Sequence, residues 1–179
     1  MADWFKALAP EHVEFIRAQH LFFIATAPRE GEGYPNLSPK GYDSLEVRSP
    51  TKLVFVDLPG SGNQTASHIA AGGLVTLMFA SFDAKPLILR VYGHGRVAAR
   101  GSEAFSALET ALRPGMIGPF TRQLISIDVD KVQTSCGYSV PRYDFAGERE
   151  TLHRYCERKE EKGEFAEMLA RASLPQAPV

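Results

Sequence analysis

The sequence predicts a mainly β chain, an antiparallel barrel with peripheral helices, on three observations. Six apolar segments have β-type composition or strict alternation, and the connections between them are mostly short. Helical patterns are too few to cross over between every strand pair, as a doubly wound parallel sheet requires. With 179 residues, 44% of them hydrophobic, one domain over 1–179 is expected. Its barrel core covers about 20–140 and a helical C-terminal extension about 144–172. A chain this long buries roughly 70% of the surface its unfolded form exposes, so it needs no metal or disulfide staple to fold.

The elements follow in order. Asp3 is positioned to cap a short helix carrying Trp4, Phe5 and Leu8, and a second helical pattern sets Val13 and Ile16 on one face. LFFIATA (21–27) reads as a strand, REGEGYPN (29–36) as a turn, and NLSPKG (36–41) as the returning strand. KLVFVD (52–57), GLVTLMFAS (73–81) and LILRVYGHGRVAA (87–99) supply three more. Gly93 and Gly95 interrupt the last of these where a barrel strand bends or bulges. LISIDVDKVQTS (124–135) is the sixth, with Ile125, Ile127 and Val129 alternating against polar neighbours. Helices are expected over 65–71, 102–112 and 148–172, the last broken at Gly163. The closing SLPQAPV reads as a loose tail.

Twenty Lys and Arg against 21 Asp and Glu give a formal charge of -1. No global positive field draws the chain to nucleic acid or to an anionic membrane. The uncharged stretch between Asp57 and Asp83 contains Pro59, Asn63, Gln64, His68 and several glycines, which excludes a membrane span. Two cysteines, Cys136 and Cys156, suit a reducing compartment, and the first fifteen residues lack the pattern of a secretory signal. A cytoplasmic protein is expected.

LPGSGNQTASHI (58–69) runs from a strand through a glycine-rich turn into a helix starting at Asn63 or Gln64. Such a turn either cradles an anion, with Gly60 and Gly62 letting the backbone bend and free N–H groups facing the ligand, or is an ordinary helix start capped by Asn63, Gln64 and Thr65. In NLSPKG, Ser38 and Lys40 project to the same side of a strand, a hydroxyl and a cation two residues apart. They suit an anion site or a solvated strand end. Arg90, inside an apolar strand, faces either a ligand or the surface. Cys136 is a reactive thiol or a small packed residue, and Tyr138 a ring partner or a rim residue. Glu150 and His153 stand at i and i+3, but the second copy that a di-iron bundle needs is absent. The other histidines have no ligand spacing, so no metal is assigned.

The ordered set ATA (25–27), NLSPKG, KLVFVD, PGSGNQTASHI, LMFAS, LRVYGHGRV and SCGYSVPRYDF (135–145) resembles the FMN-binding split-barrel family related to pyridoxamine phosphate oxidase. That resemblance covers roughly 20–145 and implies a six-stranded antiparallel split β-barrel, a homodimer, and FMN held between subunits. It further implies that Ser38 and Lys40 lie on a flavin- and phosphate-contacting strand, Val56 and Asp57 at the next strand end, and Asn63, Gln64 and Thr65 in the phosphate turn. Arg90, Cys136 and Tyr138 complete the candidate cofactor residues. The chain departs from the oxidase in having neutral amides and a hydroxyl where the oxidase turn is basic, which leaves Lys40 as the clearest cation. The oxidase's C-terminal Arg and His motif is not recognisable, so vitamin B6 oxidation is not carried over. The expected activity is FMN-dependent electron transfer between a reduced donor and a small-molecule acceptor. The alternative is a non-catalytic module that holds a flavin, a deazaflavin or haem.

Overall fold

The computed structural model describes residues 2–29 and 33–173. The tip of the 29–36 turn and all but the first residue of the SLPQAPV tail lie outside the described residues. Eight strands and five helices follow in the order β1 (Asp3–Phe5), α1 (Pro10–Arg17), β2 (Phe22–Thr26), β3 (Asn36–Lys40), β4 (Leu45–Ser49), β5 (Lys52–Asp57), α2 (Gln64–Ala70), β6 (Leu74–Ala80), β7 (Ile88–Ala99), α3 (Glu103–Glu109), β8 (Gln123–Ser135), α4 (Thr151–Glu161) and α5 (Phe165–Ser173). Every pairing is antiparallel. The sheet runs β3-β2-β6-β7-β8-β5-β4, with β1 added on β8. Its two end strands, β3 and β4, are neighbours in the chain but are not paired with each other, so the antiparallel barrel is split along that seam. No described helix is long and apolar enough to cross a membrane.

Two strands exceed the expected six. Residues 3–5 form β1 where a helix was expected, and the reason is the length of β8. β5 covers β8 only from Gln123 to Asp128, which leaves the far half of that edge open, and Asp3, Trp4 and Phe5 pair there with Thr134, Gln133 and Val132. Trp4 therefore stacks on Tyr92, ring centroids 5.7 Å apart, instead of packing within a helix. Helix begins only at Pro10, whose fixed φ and missing N–H suit a first turn. β4, LEVRS, is short and carries two charges. It pairs with β5 through Leu45 and Phe55, Glu46 and Val54, and Val47 and Leu53.

The expected bend in β7 is a bulge. Lys131 faces Tyr92 and Val129 faces Gly93, so Asp130 is skipped. A Cβ on Gly93 would stand 2.0 Å from the Asp128 carbonyl oxygen, so only glycine fits.

Period-2 alternation sorts the sheet into two faces. The row Ser38, Ile24, Leu77, Val91, Val132 belongs to the inner face, where Ile24, Leu77, Val91 and Val132 are fully buried with Phe55, Phe79 and Leu89. The next row, Pro39, Phe23, Met78, Arg90, Gln133 and Trp4, faces outward and stays partly exposed. A second cluster of Val54, Val56, Ala98, Phe105 and Leu124 packs α3 against the back of β5, β7 and β8.

Candidate functional site

β3, the end of β5, the 58–63 turn and the residue before β8 enclose a pocket of about 290 Å³ lined by Asn36, Ser38, Lys40, Asp57, Gly60, Ser61, Gly62, Asn63, Gln64, Thr65 and Arg122. The inward alternation of β3 brings Asn36, Ser38 and Lys40 to it together. Asp57, only 2% exposed, organises the charge. One carboxylate oxygen accepts from Lys40 Nζ at 3.4 Å. The other accepts from Arg122 Nη2 at 2.6 Å, Arg122 Nε at 3.1 Å and Gln123 Nε2 at 2.8 Å. Two cations around one carboxylate leave one net positive charge.

The two cations differ in freedom. Arg122 is buried, and its Nη1 also donates to the Gly62 carbonyl at 3.1 Å. Lys40 retains 26% of its side-chain surface, with one long contact to Asp57 and its Nζ 5.3 Å from the centre of the Phe55 ring. Arg122 is thus a fixed part of the wall, and Lys40 an ammonium free to swing toward an incoming anion.

Arg122 is a candidate site residue absent from the sequence-based set. The one available signal was an arginine directly ahead of an apolar strand. Only the register Asp57 opposite Gln123 shows that it lands on a buried carboxylate. The pocket is therefore more basic than the neutral 58–65 turn suggests, and Lys40 is not its only cation.

The turn also departs from expectation. Neither Gly60 nor Gly62 takes a positive φ, and a Cβ at Gly60 would meet nothing within 4 Å. Glycine here keeps the rim open. Asn63 stands at the N-cap of α2 but makes no capping bond; its Oδ1 accepts from Gln123 Nε2 at 2.8 Å. Asn36 Nδ2 donates to Thr65 Oγ1 at 3.0 Å, and Ser38 Oγ donates to Asn36 Oδ1 at 3.3 Å, a polar ladder linking β3 to α2. With only seven residues, α2 has a weak dipole. The positive potential rests on the side chains.

The remaining candidates lie elsewhere within one chain. Val56 is buried in the second cluster and lines a separate groove of about 390 Å³ with Tyr42, Ser44 and His153. Arg90 lies on the outward face and donates to Ser135 Oγ at 3.2 Å. Cys136 is exposed and Tyr138 is 82% exposed, both just past the end of β8. Burial pushes the Cys156 thiol of α4 upward. Glu150 pairs with Arg154, and His153 stands against Tyr42. Among the described residues, no three His, Cys, Asp or Glu are grouped as metal ligands. A roomier cavity, about 420 Å³, opens on the other side of Lys40, along the seam between α1, β4 and Glu148.

Comparisons with known proteins agree with this architecture. The family model described as pyridoxamine 5'-phosphate oxidase matches residues 8–136. A relative from Aspergillus flavus, the pyridoxamine 5'-phosphate oxidase family protein ustO, is 34% identical over 98% of this chain and 72% of its own length. Among solved structures, a HupZ variant from Group A Streptococcus superposes with a TM-score of 0.55 at 22% identity, covering 71% of this chain and 98% of that one. The FAD binding protein from Mycobacterium smegmatis gives 0.51 at 17% identity, covering 72% and 96%.

Proposed function

Because this chain belongs to the pyridoxamine 5'-phosphate oxidase family, we propose that it is an FMN-dependent oxidoreductase, passing electrons between a reduced donor and a small-molecule acceptor in a reducing, cytoplasmic compartment. The observation that carries the reading is the Lys40–Asp57–Arg122 arrangement: two cations, one of them mobile, around one carboxylate in a polar pocket. Its donor set suits a phosphate monoester. Arg122 is locked, Lys40 is free to leave Asp57, and Ser38, Ser61, Gln64 and Thr65 offer neutral polar groups on the walls. A volume of about 290 Å³ is at the lower limit for small-molecule pockets and suits the phosphorylated end of a ligand whose ring lies beyond it. That a neighbour of the same fold is an FAD binding protein supports a flavin.

Bound FMN supplies the redox chemistry, and the polypeptide supplies binding, orientation and exclusion of water. Asp57 keeps Arg122 in place while Lys40 moves to the phosphate. The ladder Ser38–Asn36–Thr65 fixes the wall the ligand passes.

The protein acts as a single-domain homodimer with the cofactor at the subunit interface. The support is the outward row of Phe23, Met78, Arg90 and Trp4 together with Leu37, 64% exposed, an apolar sheet face that a second copy would cover. Arg90 lies on this face and Cys136 and Tyr138 follow β8 beside it, so all three reach a cofactor only across such an interface. Sedimentation is expected to give a dimer, and Met78→Glu a monomer with weakened FMN binding. A native monomer that binds FMN fully would contradict this.

Activity is tested by anaerobic photoreduction of the FMN-loaded protein followed by reoxidation with candidate acceptors. Reoxidation faster than that of free FMN is expected. FMN bound without acceleration by any acceptor would instead make the protein a flavin-holding module.

A further inference from the structure

The link across the seam, the Gly41–Ser44 turn between β3 and β4, holds Tyr42 in a backbone conformation that a tyrosine disfavours. Tyr42 and Asp43 have φ of 61° and 48°. Left-handed backbone comes readily to glycine, asparagine and aspartate, so Asp43 is at ease there and Tyr42 is the strained member of the pair. The turn's internal bonds, Ser44 Oγ and N–H both donating to the Gly41 carbonyl at 2.7 and 3.4 Å, do not account for that.

The restraint comes from the C-terminal extension. The Tyr42 N–H donates to Glu148 Oε1 at 3.3 Å, the Tyr42 hydroxyl donates to the Arg149 carbonyl, and the Tyr42 ring lies 4.9 Å from that of His153. Glu148 also lies close over position 41, where a Cβ would stand 3.2 Å from its Oε2, a tight contact that glycine avoids. The extension is itself tied to the barrel by Tyr143 N–H donating to the Phe82 carbonyl at 3.1 Å and by Phe145 stacked on His20 at 3.7 Å. Arg113, bonded to Glu46 and Asp43, holds the other side of the turn.

This turn directly follows Lys40. Its residues also wall the 420 Å³ seam cavity and the 390 Å³ groove. We propose that Glu148 is a positioning residue: by clamping the left-handed turn, the C-terminal extension sets where Lys40 stands, so anion binding at Lys40 and docking of the extension strengthen one another. Linkage requires the factor to be the same in both directions. The proposal rests on the FMN reading only for the identity of the ligand.

The test uses the full chain with Glu148→Ala, Glu148→Gln and Lys40→Ala. Glutamine keeps an oxygen to accept the Tyr42 N–H. Glu148→Ala is expected to weaken FMN about tenfold, equivalent to ~1.4 kcal/mol, while riboflavin, lacking the phosphate, is weakened less than about twofold. Glu148→Gln is expected to restore FMN affinity. Saturating FMN should slow tryptic cleavage at Arg149 in the wild type and not in Lys40→Ala. Equal weakening of both ligands by Glu148→Ala, or FMN protection surviving in Lys40→Ala, would overturn the role. Inorganic pyrophosphate is the second probe. If FMN fails to bind the wild type while pyrophosphate shows the Glu148 dependence, only the flavin reading falls; if neither probe shows it, the positioning role falls. Deuterium exchange at the Tyr42 amide, faster in Glu148→Ala and restored in Glu148→Gln, reads the clamp without ligand, and unchanged exchange would refute it.

Discussion

Asp57 is the buried charge on which the pocket's side chains converge. Nearly out of contact with solvent, it accepts from Lys40, Arg122 and Gln123. Replacing it with asparagine preserves shape but leaves buried Arg122 without a counter-charge, which costs about 3 kcal/mol when one partner of a buried pair is removed. Urea unfolding of Asp57→Asn is expected to show that loss, and a change below about 1 kcal/mol would mean that the pair is solvated like a surface bridge. The cysteines give a second residue-scale expectation. Cys156 is fully buried and its thiol is pushed above its ordinary value by burial first and by Glu157 second, whereas Cys136 is exposed. Iodoacetamide should therefore modify Cys136 in the native protein and Cys156 only as α4 detaches or unfolds, read by mass spectrometry of tryptic peptides. Because the folded state holds the Cys156 proton more tightly, this thiol's contribution to stability is present below its unfolded value of about 9.0 and is lost as pH rises through the raised folded value. Equal alkylation of both cysteines in the native state would contradict the burial of Cys156.

Among the elements, β7 and β8 form the spine of the barrel, and the bulge at Gly93 lets twelve- and thirteen-residue strands curve together. Gly93→Ala drives a Cβ into the Asp128 carbonyl and is expected to cost more than about 2 kcal/mol. Gly60→Ala meets open space and should be near neutral. A tolerated Gly93→Ala would place the bulge elsewhere. These elements also show what was legible in the sequence. The long apolar strands and the glycine interruption were readable because alternation and glycine report backbone geometry locally. β1 was not, since residues 3–5 become a strand only because β8 outruns β5 and offers an open edge. β4 was hidden by its two charges, one of which, Glu46, is buried against Arg113. The same division holds in the pocket. Asn36, Ser38 and Lys40 share a face by period-2 spacing, but Arg122 joins them only through strand register, 65 residues from Asp57.

For the whole molecule, the seam between β3 and β4 is the organising feature. The polar pocket lies at one side of it and the larger cavity at the other, with Lys40 lining both. The C-terminal extension crosses back over it to hold the turn that joins the two edges. A barrel closed by direct β3–β4 pairing would have no such opening. The split is thus what opens a polar pocket in this fold, and the outward apolar face is where the proposed second copy would sit.

The most direct test of the central claim is parallel titration of the wild type and Lys40→Ala with FMN and riboflavin. Loss of a charge-assisted contact of roughly 1.5–3 kcal/mol predicts that the variant binds FMN at least about tenfold more weakly while riboflavin binding barely changes. Equal affinities of the two flavins for the wild type, or equal weakening of both by the substitution, would show that no phosphate is held at this pocket.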